Sequence, residues 1–397
     1  MTNPGPAPTL PVDALPRDAI PRDAIPLGNV TDWRDILDRV GPQLEAAGAA
    51  CDRDGSFVAD NLDLLLQHGF FALAVPVDFG GGGLFADELC EMLRALGARC
   101  GSTALALAMH THQVAAAAWR WRHQNAPTEG LLRKVAGEGV RMVSSGASDW
   151  LPGGGTARKV EGGFRIDARK GFASGSPAGD LLGTSAVYDD PQDGPTVLHF
   201  ALQLKAEGVR IATTWDTLGM RGTGSHDVLV EDVFIPDAAV SGRRPAGPWH
   251  PLFHIVSMIA FPLIYSVYAG VADAARDLAV DLAKTKSGDP LALLAVGELE
   301  TAHAGLDTLW IALVAATVGM PGEASTDRVM KLRTLTGQAA LKVGEKALEC
   351  AGGAGFYRAA GLELRFRDLQ GARFHPLRER EQQLYSGRQA LGLSVDG

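Results

Sequence analysis

The sequence predicts an α+β protein built in three consecutive parts: a helical N-terminal domain, a small central β-domain and a C-terminal helical bundle. Three observations predict it. From Asp32 to about Ala136, apolar residues recur at helical spacing with few strand signals. From about Val140 to Val240 the chain turns rich in glycine and in short alternating apolar runs, such as GGFRIDARKGFASG, TVLHFALQ and DVLVEDVFIP. From His250 the helical period returns in three long segments, 251–286, 290–319 and 325–351, whose short connections suggest antiparallel packing. The boundaries read from these changes are 1–28 for a tail, 29–137 for the first helical part, 138–242 for the β-domain and 243–397 for the bundle.

Each part has its own signals. The first 26 residues hold seven prolines and repeat the unit Pro-Arg-Asp-Ala-Ile twice, so residues 1–28 read as a disordered tail. They lack the charged start and apolar run of a secretory signal. Gly80 to Gly83, after Val75-Pro76, breaks the first helical stretch with a turn. Ser102 to Trp119 is uncharged, alanine-rich and carries His110 and His112, which reads as a buried helix. His250 to Ala272 contains no Asp, Glu, Lys or Arg and is long enough to span a bilayer. Pro262, Ser257, two tyrosines and the amphipathic Asp273–Lys286 that follows favour a buried core helix instead.

Composition narrows the function. Of 397 residues, 46% are hydrophobic and 21% charged, the mix of a soluble globular protein. A net charge of -9 argues against a nucleic-acid scaffold, which needs a basic surface. Cys51, Cys90, Cys100 and Cys350 are scattered without a C-x-x-C pair. That argues against a zinc site or a disulfide framework and fits a reducing cytoplasm.

Several stretches resemble the acyl-CoA dehydrogenase superfamily, in family order across residues 30–397. The phrase AVPVDFGGGG is similar to a turn near that family's start. Ser145-Gly-Ala-Ser148-Asp149, with Gly153–Gly155 and the turn after it, resembles a flavin-facing loop. Lys170-Gly-Phe172-Ala-Ser174-Gly175 resembles the motif whose aromatic packs on the flavin ring and whose next polar residue faces its N5 edge. Leu218–Asp227, containing Arg221, resembles the segment that leads back to the bundle. Gly352-Gly353-Ala-Gly-Phe356 resembles the turn that approaches a partner subunit's flavin. The resemblance implies a small β-barrel, a C-terminal four-helix bundle and a homo-oligomer, a tetramer or a dimer. It also implies a flavin held by Ser148, Phe172, Ser174, Arg221, Gly352, Gly353 and Phe356.

The departures are as informative. In the dehydrogenases an Arg-Asp pair is followed about eight residues later by the glutamate that removes the substrate α-proton. Here Arg367-Asp368 leads to His375-Pro376, and proline cannot be a base. Trp249 to Gly270, the alternative place for the base, has no acid. Ser287-Gly-Asp-Pro290 replaces a family motif that grips the cofactor's phosphates.

The ending and the Phe-Ala-Ser-Gly form of the flavin motif resemble a side branch of monooxygenases. These take reduced FMN or FAD from a separate flavin reductase and oxidise a small-molecule substrate through a C4a-peroxyflavin. Under this resemblance His375, His110 and Ser145 are the catalytic candidates, because histidine titrates in the useful range and serine donates a hydrogen bond. His254 is a further candidate for the pocket wall. The plainer readings are that His375 caps a helix, His110 is a satisfied core residue, and Arg367 and Asp368 pair with each other. The alternatives for the whole chain are an FAD-dependent acyl thioester dehydrogenase with another base, and a non-catalytic flavin-fold binding protein. Neither a metal nor a membrane is expected.

Overall fold

The computed structural model describes residues 33–145 and 149–396. The proline-rich tail expected at 1–28 and the candidate Ser148 lie outside the described residues. Five helices come first: α1 (Trp33–Asp54), α2 (Ala59–Gln67), α3 (Ala86–Arg99), α4 (Gly101–Gln124) and α5 (Glu129–Glu138). Helix α1 buries Trp33, Ile36, Leu37, Val40 and Leu44, a stripe at helical spacing, and exposes its charged side. Helix α4 is buried along its first eleven residues, as its small and uncharged sequence requires.

Eight strands form one sheet: β1 (Met142–Ser144), β2 (Thr156–Val160), β3 (Gly163–Ala173), β4 (Leu181–Asp190), β5 (Gly194–Gln203), β6 (Val209–Ala212), β7 (His226–Pro236) and β8 (Gly242–Pro245). Their order is β6-β7-β3-β2-β4-β5-β8, with β1 on β4. The β1–β4 and β2–β4 pairs are parallel and the others antiparallel. Alternate residues such as Phe164, Ile166, Leu198, Phe200, Val228 and Val230 build a core separate from that of the helices.

The C-terminal part has α6 (Pro251–Ala283), α7 (Pro290–Ala315), α8 (Glu323–Ala351) and the shorter α9 (Leu362–Leu369) and α10 (Glu379–Ala390). Every residue of α6 from Ser257 to Ala272 is buried. Helices α3, α4, α7, α8 and α9 all pack on it. The apolar run long enough to cross a membrane is thus the central helix of the protein, with 94% of its most apolar window buried. Helices α3 and α6 meet backbone to backbone at Gly97 and Gly270, where a Cβ would strike the carbonyls of Val267 and Arg94. Beside that contact Arg94 donates twice to Asp273, at 2.7 Å each, and also reaches Asp307 on α7.

Helix α9 joins the parts. The expected Arg367–Asp368 pair is not what forms, because adjacent helical residues point about 100° apart. Arg367 binds Asp52 of α1 at 2.6 and 2.9 Å and Glu363 at 2.5 Å. Asp368 turns inward, 2% exposed, and accepts the amide of Met220 at 2.5 Å. Burial raises its pKa to about 6, against the pull of that amide and of Arg365.

The sign of this shift sets a test. A carboxyl whose pKa is raised in the folded state contributes its stability below its unfolded pKa and loses it as pH rises through about 6. Asp368→Asn keeps an acceptor for Met220 and removes the charge. Melting curves from pH 4 to 8 should show wild-type stability falling between pH 4 and 6 and a flatter profile for the variant. The variant should be the more stable at pH 7 by up to about 3 kcal/mol. An identical pH slope in both proteins would refute the account.

Candidate active site

A cavity of about 600 Å³ lies where the sheet, α4, α6 and the segment after α9 meet. One face of α6 supplies Phe253, Val256, Ala260, Phe261, Ile264 and Tyr268, spaced as a single helical stripe. Leu105 and Met109 of α4 face them, so most of the wall is apolar. The polar groups are few and held in place.

His375 lines this cavity, as does Pro376. Its Nε2 lies 2.6 Å from the hydroxyl of Tyr268, and it caps no helix. Burial, with the nearby positive charge of Arg333, lowers its pKa to about 3, so the ring is neutral. The Tyr268 phenol is pushed well above its ordinary value by burial. On that basis the phenol donates to Nε2 and the ring proton is assigned to Nδ1. Tyr265 backs the pair, donating to the Ala372 carbonyl at 2.8 Å and accepting from Arg333 at 2.5 Å.

The expectation of a catalytic His110 is corrected. Its Nε2 donates to the Phe71 carbonyl at 2.8 Å and its Nδ1 accepts the Met142 amide at 2.9 Å. Both nitrogens are engaged in tying α4 to its neighbours, and the ring is buried away from the cavity. His112, two residues on, points the other way and lines the cavity. Its Nδ1 donates to the Ala108 carbonyl at 3.1 Å, which leaves Nε2 for the cavity. Burial lowers its pKa to about 4. His254 is also off the wall, bonded to Thr326 at 2.8 Å and stacked on Trp249.

Ser145 lines the cavity, but its hydroxyl donates to Asp149. Asp149 also accepts from Thr184 at 2.7 Å and from the buried Lys170. Lys170 gives its remaining protons to the carbonyls of Gly154 at 2.7 Å and Ser185 at 2.6 Å. Desolvation lowers its pKa, and Asp149 opposes that. Asp149 is the one carboxylate among the described residues that line the cavity, and it is fully engaged.

On the opposite wall Phe172 is held at φ 57°, a conformation rare for a bulky residue, and is 57% exposed. Its ring stands edge-on to Trp215 at 5.8 Å. Next to it a hydroxyl relay runs Ser174–Ser225–Thr223, with 2.7 Å at each step, and ends on the Met220 carbonyl at 2.9 Å. Because that carbonyl can only accept, Thr223 donates to it, Ser225 donates to Thr223, and Ser174 donates to Ser225. Ser174 therefore presents only lone pairs to the cavity. Trp150, also on the wall, has a buried Nε1 with no partner among the described residues.

Four expected cofactor contacts lie outside this cavity, three of them on the turn expected to approach a partner subunit's flavin. Arg221 lines a neighbouring groove of about 410 Å³, where it donates to the carbonyls of Asp52 at 2.8 Å and Thr217 at 3.1 Å. Gly352, Gly353 and Phe356 sit at the surface on the turn after α8, with Phe356 87% exposed, and none lines the cavity.

Residues 38–139 match the N-terminal domain of acyl-CoA dehydrogenases. The chain is 28% identical over 384 residues to L-evernosamine nitrososynthase of a Micromonospora species, covering 91% of this chain and 90% of that one. It is 26% identical to indole-3-acetate monooxygenase of Pseudomonas putida, covering 80% and 83%. The structure of KijD3 in complex with FMN and dTDP-3-amino-2,3,6-trideoxy-4-keto-3-methyl-D-glucose superposes with a TM-score of 0.84 at 26% identity, covering 93% of this chain and 96% of that one. The N-terminal match and the full-length similarities agree with the helix–sheet–helix order and with the cavity at its junction: residues 38–139 match the acyl-CoA dehydrogenase N-terminal domain, and the chain as a whole is similar to flavin-dependent monooxygenases.

Proposed function

We propose that the protein is a reduced-flavin-dependent monooxygenase that oxidises a small organic substrate, with FMN or FAD supplied already reduced by a separate reductase. The observation that carries this reading is that no carboxylate among the described residues lining the cavity is free. Pro376 stands where a dehydrogenase would place its glutamate, and Asp149 is neutralised by Lys170, Ser145 and Thr184. In the acyl-CoA dehydrogenases that this chain resembles, a free carboxylate takes the α-proton of the acyl thioester.

The residues present fit a flavin. Apolar and aromatic walls suit a planar ring, the orphan Nε1 of Trp150 offers a donor, and Ser174 offers an acceptor. A bound reduced flavin supplies the electrons and, with dioxygen, the activated oxygen. The chain's own contribution is confinement and proton handling. The α6 stripe excludes water. The neutral His375, with Tyr268 at its Nε2, keeps a proton available at Nδ1.

A homo-oligomer, tetramer or dimer, fits the exposed Phe356 and Tyr357 and the exposed Leu291, Leu293 and Leu294 of α7. The cytoplasm fits the four free cysteines, Cys51, Cys90, Cys100 and Cys350.

Supplied with reduced flavin and dioxygen, the wild-type protein should form oxygenated product from its substrate. His375→Ala should keep its fold yet lose about 10²-fold in coupled product and release hydrogen peroxide instead. Anaerobic bleaching of bound oxidised flavin by an acyl-CoA, or full coupling in the variant, would overturn the assignment.

The Ser174 relay makes a second expectation. Reduced flavin carries a hydrogen on N5, and an acceptor-only Ser174 complements it. Ser225→Ala frees the Ser174 hydroxyl to donate, so the preference for reduced over oxidised flavin should fall by up to about tenfold. Paired anaerobic and aerobic flavin titrations measure this, and an unchanged ratio would count against the relay.

Light scattering at working concentration should report an oligomer. A stable, active monomer would contradict the assembly proposed.

A further inference from the structure

Arg333 of α8 stands behind the cavity wall rather than on it. It is 3% exposed, and its guanidinium lies over the rings of Phe261 and Tyr265, at 5.6 and 5.3 Å. Phe261 separates it from the cavity that this ring lines. Among the described residues only Nη1 has a polar partner, the Tyr265 hydroxyl. Nε and Nη2 form the edge that Arg94 presents to Asp273, and on Arg333 that edge has no partner among the described residues.

Packing does not account for a charge in this place. A methionine has a similar length and would cover the two rings without desolvating a cation. The charge acts on His375 by two routes. The first is mechanical. Arg333 donates to the Tyr265 hydroxyl, so that hydroxyl gives its own proton to the Ala372 carbonyl at 2.8 Å, three residues before His375. Gly337, one turn further along α8, lies so close that a Cβ there would stand 2.8 Å from Tyr265 Cε1, which bars the ring from swinging that way. The held ring meets His375 edge-on, with centroids 6.1 Å apart.

The second route is electrostatic. A cation in a dry interior acts over a longer distance than one in water. Burial is the first cause that opposes a second proton on His375, the charge of Arg333 is the next, and His112 of α4 follows. The Tyr265 and Tyr268 phenols of α6 are kept neutral by burial. The nearby carboxylates are engaged elsewhere, Asp149 by Lys170 and Asp368 of α9 by the Met220 amide. On the segment of His375 itself, Arg373 turns to Gln370 and Arg378 to Glu381.

We infer that Arg333 is a positioning residue for His375: through Tyr265 it fixes the Ala372–His375 segment, and its charge behind Phe261 keeps the imidazole a neutral donor toward the cavity. The inference rests on the monooxygenase reading for the reaction that His375 serves.

The test uses the full-length protein without flavin. Ring nitrogen shifts of His375, assigned by their loss in His375→Ala, are followed by NMR from pH 5 to 8 in wild type, Arg333→Met, Arg333→Gln and Arg333→Lys. These shifts report partial protonation well above the midpoint. Wild type and the lysine variant should show a neutral ring throughout. The methionine and glutamine variants should bind the second proton at least about threefold more tightly. Arg333→Met should melt at or above the wild-type temperature at pH 7, because it removes an unpaired buried charge.

His375 shifts in the methionine and glutamine variants that superimpose on those of wild type at every pH would overturn the inference. So would a lysine variant that titrates like the methionine variant. Methionine and glutamine variants that both melt well below wild type would make Arg333 a structural residue and overturn it as well. Since flavin and oxygen take no part, a protein that behaves as expected here and yields no oxygenated product would count against the reaction and leave the role of Arg333 standing.

Discussion

The protein is organised around a helix whose middle, Ser257 to Ala272, has no solvent side. Helix α6 is surrounded by α3, α4, α7, α8 and α9, and its apolar sequence is the price of that position. Full burial demands close neighbours, and Gly97 and Gly270 provide the closest, letting α3 and α6 touch along their backbones. Once α6 is fixed, so is much of the site. Its inner face is the cavity's apolar wall, and Tyr265 and Tyr268 position His375. A substitution that shifted α6 by a small distance would disturb both together, because packed interiors transmit displacement rather than absorb it.

A second constraint is the buried pair of Lys170 and Asp149. Burying both charges gains little net stability over an apolar replacement, whereas removing one partner strands the other at several kcal/mol. What the pair does accomplish is chemical. It fastens the segment after β1 to β3 and β4, and it consumes the cavity's carboxylate. The missing glutamate at Pro376 and the engaged aspartate at 149 are thus two aspects of one arrangement, a dry cavity whose proton-handling groups are neutral.

The order of helices and sheet, the buried nature of α6 and the placement of His375 beside the cavity were legible in the sequence. Each rests on patterns that a linear chain displays: period, composition and motif order. The misreadings concern neighbours. His110 and His112 lie on one helix and differ only in the side they face, and an alanine-rich run offers no stripe to orient them. Arg367 and Asp368 are adjacent in sequence, yet their partners are 315 and 148 residues away. Arg221 belongs to a motif that suggested cofactor contact, and its guanidinium is taken up by the carbonyls of Asp52 and Thr217. Tyr268 went unread because an uncharged run gave no reason to single it out. Its spacing from Phe261 and Ile264 on one helical face was the available signal.

The contacts of α9 also bear on how the chain is made. Synthesis runs from the N-terminus, and α1 cannot meet Arg367, nor Met220 meet Asp368, until nearly the whole polypeptide has left the ribosome. Until then the inner stripe of α6 lacks part of its cover, and the loop around Met220 lacks its anchor. The two walls of the cavity come from chain segments synthesised far apart. The cavity is therefore among the last features to form, and the nascent chain carries an open apolar groove that calls for protection before it closes.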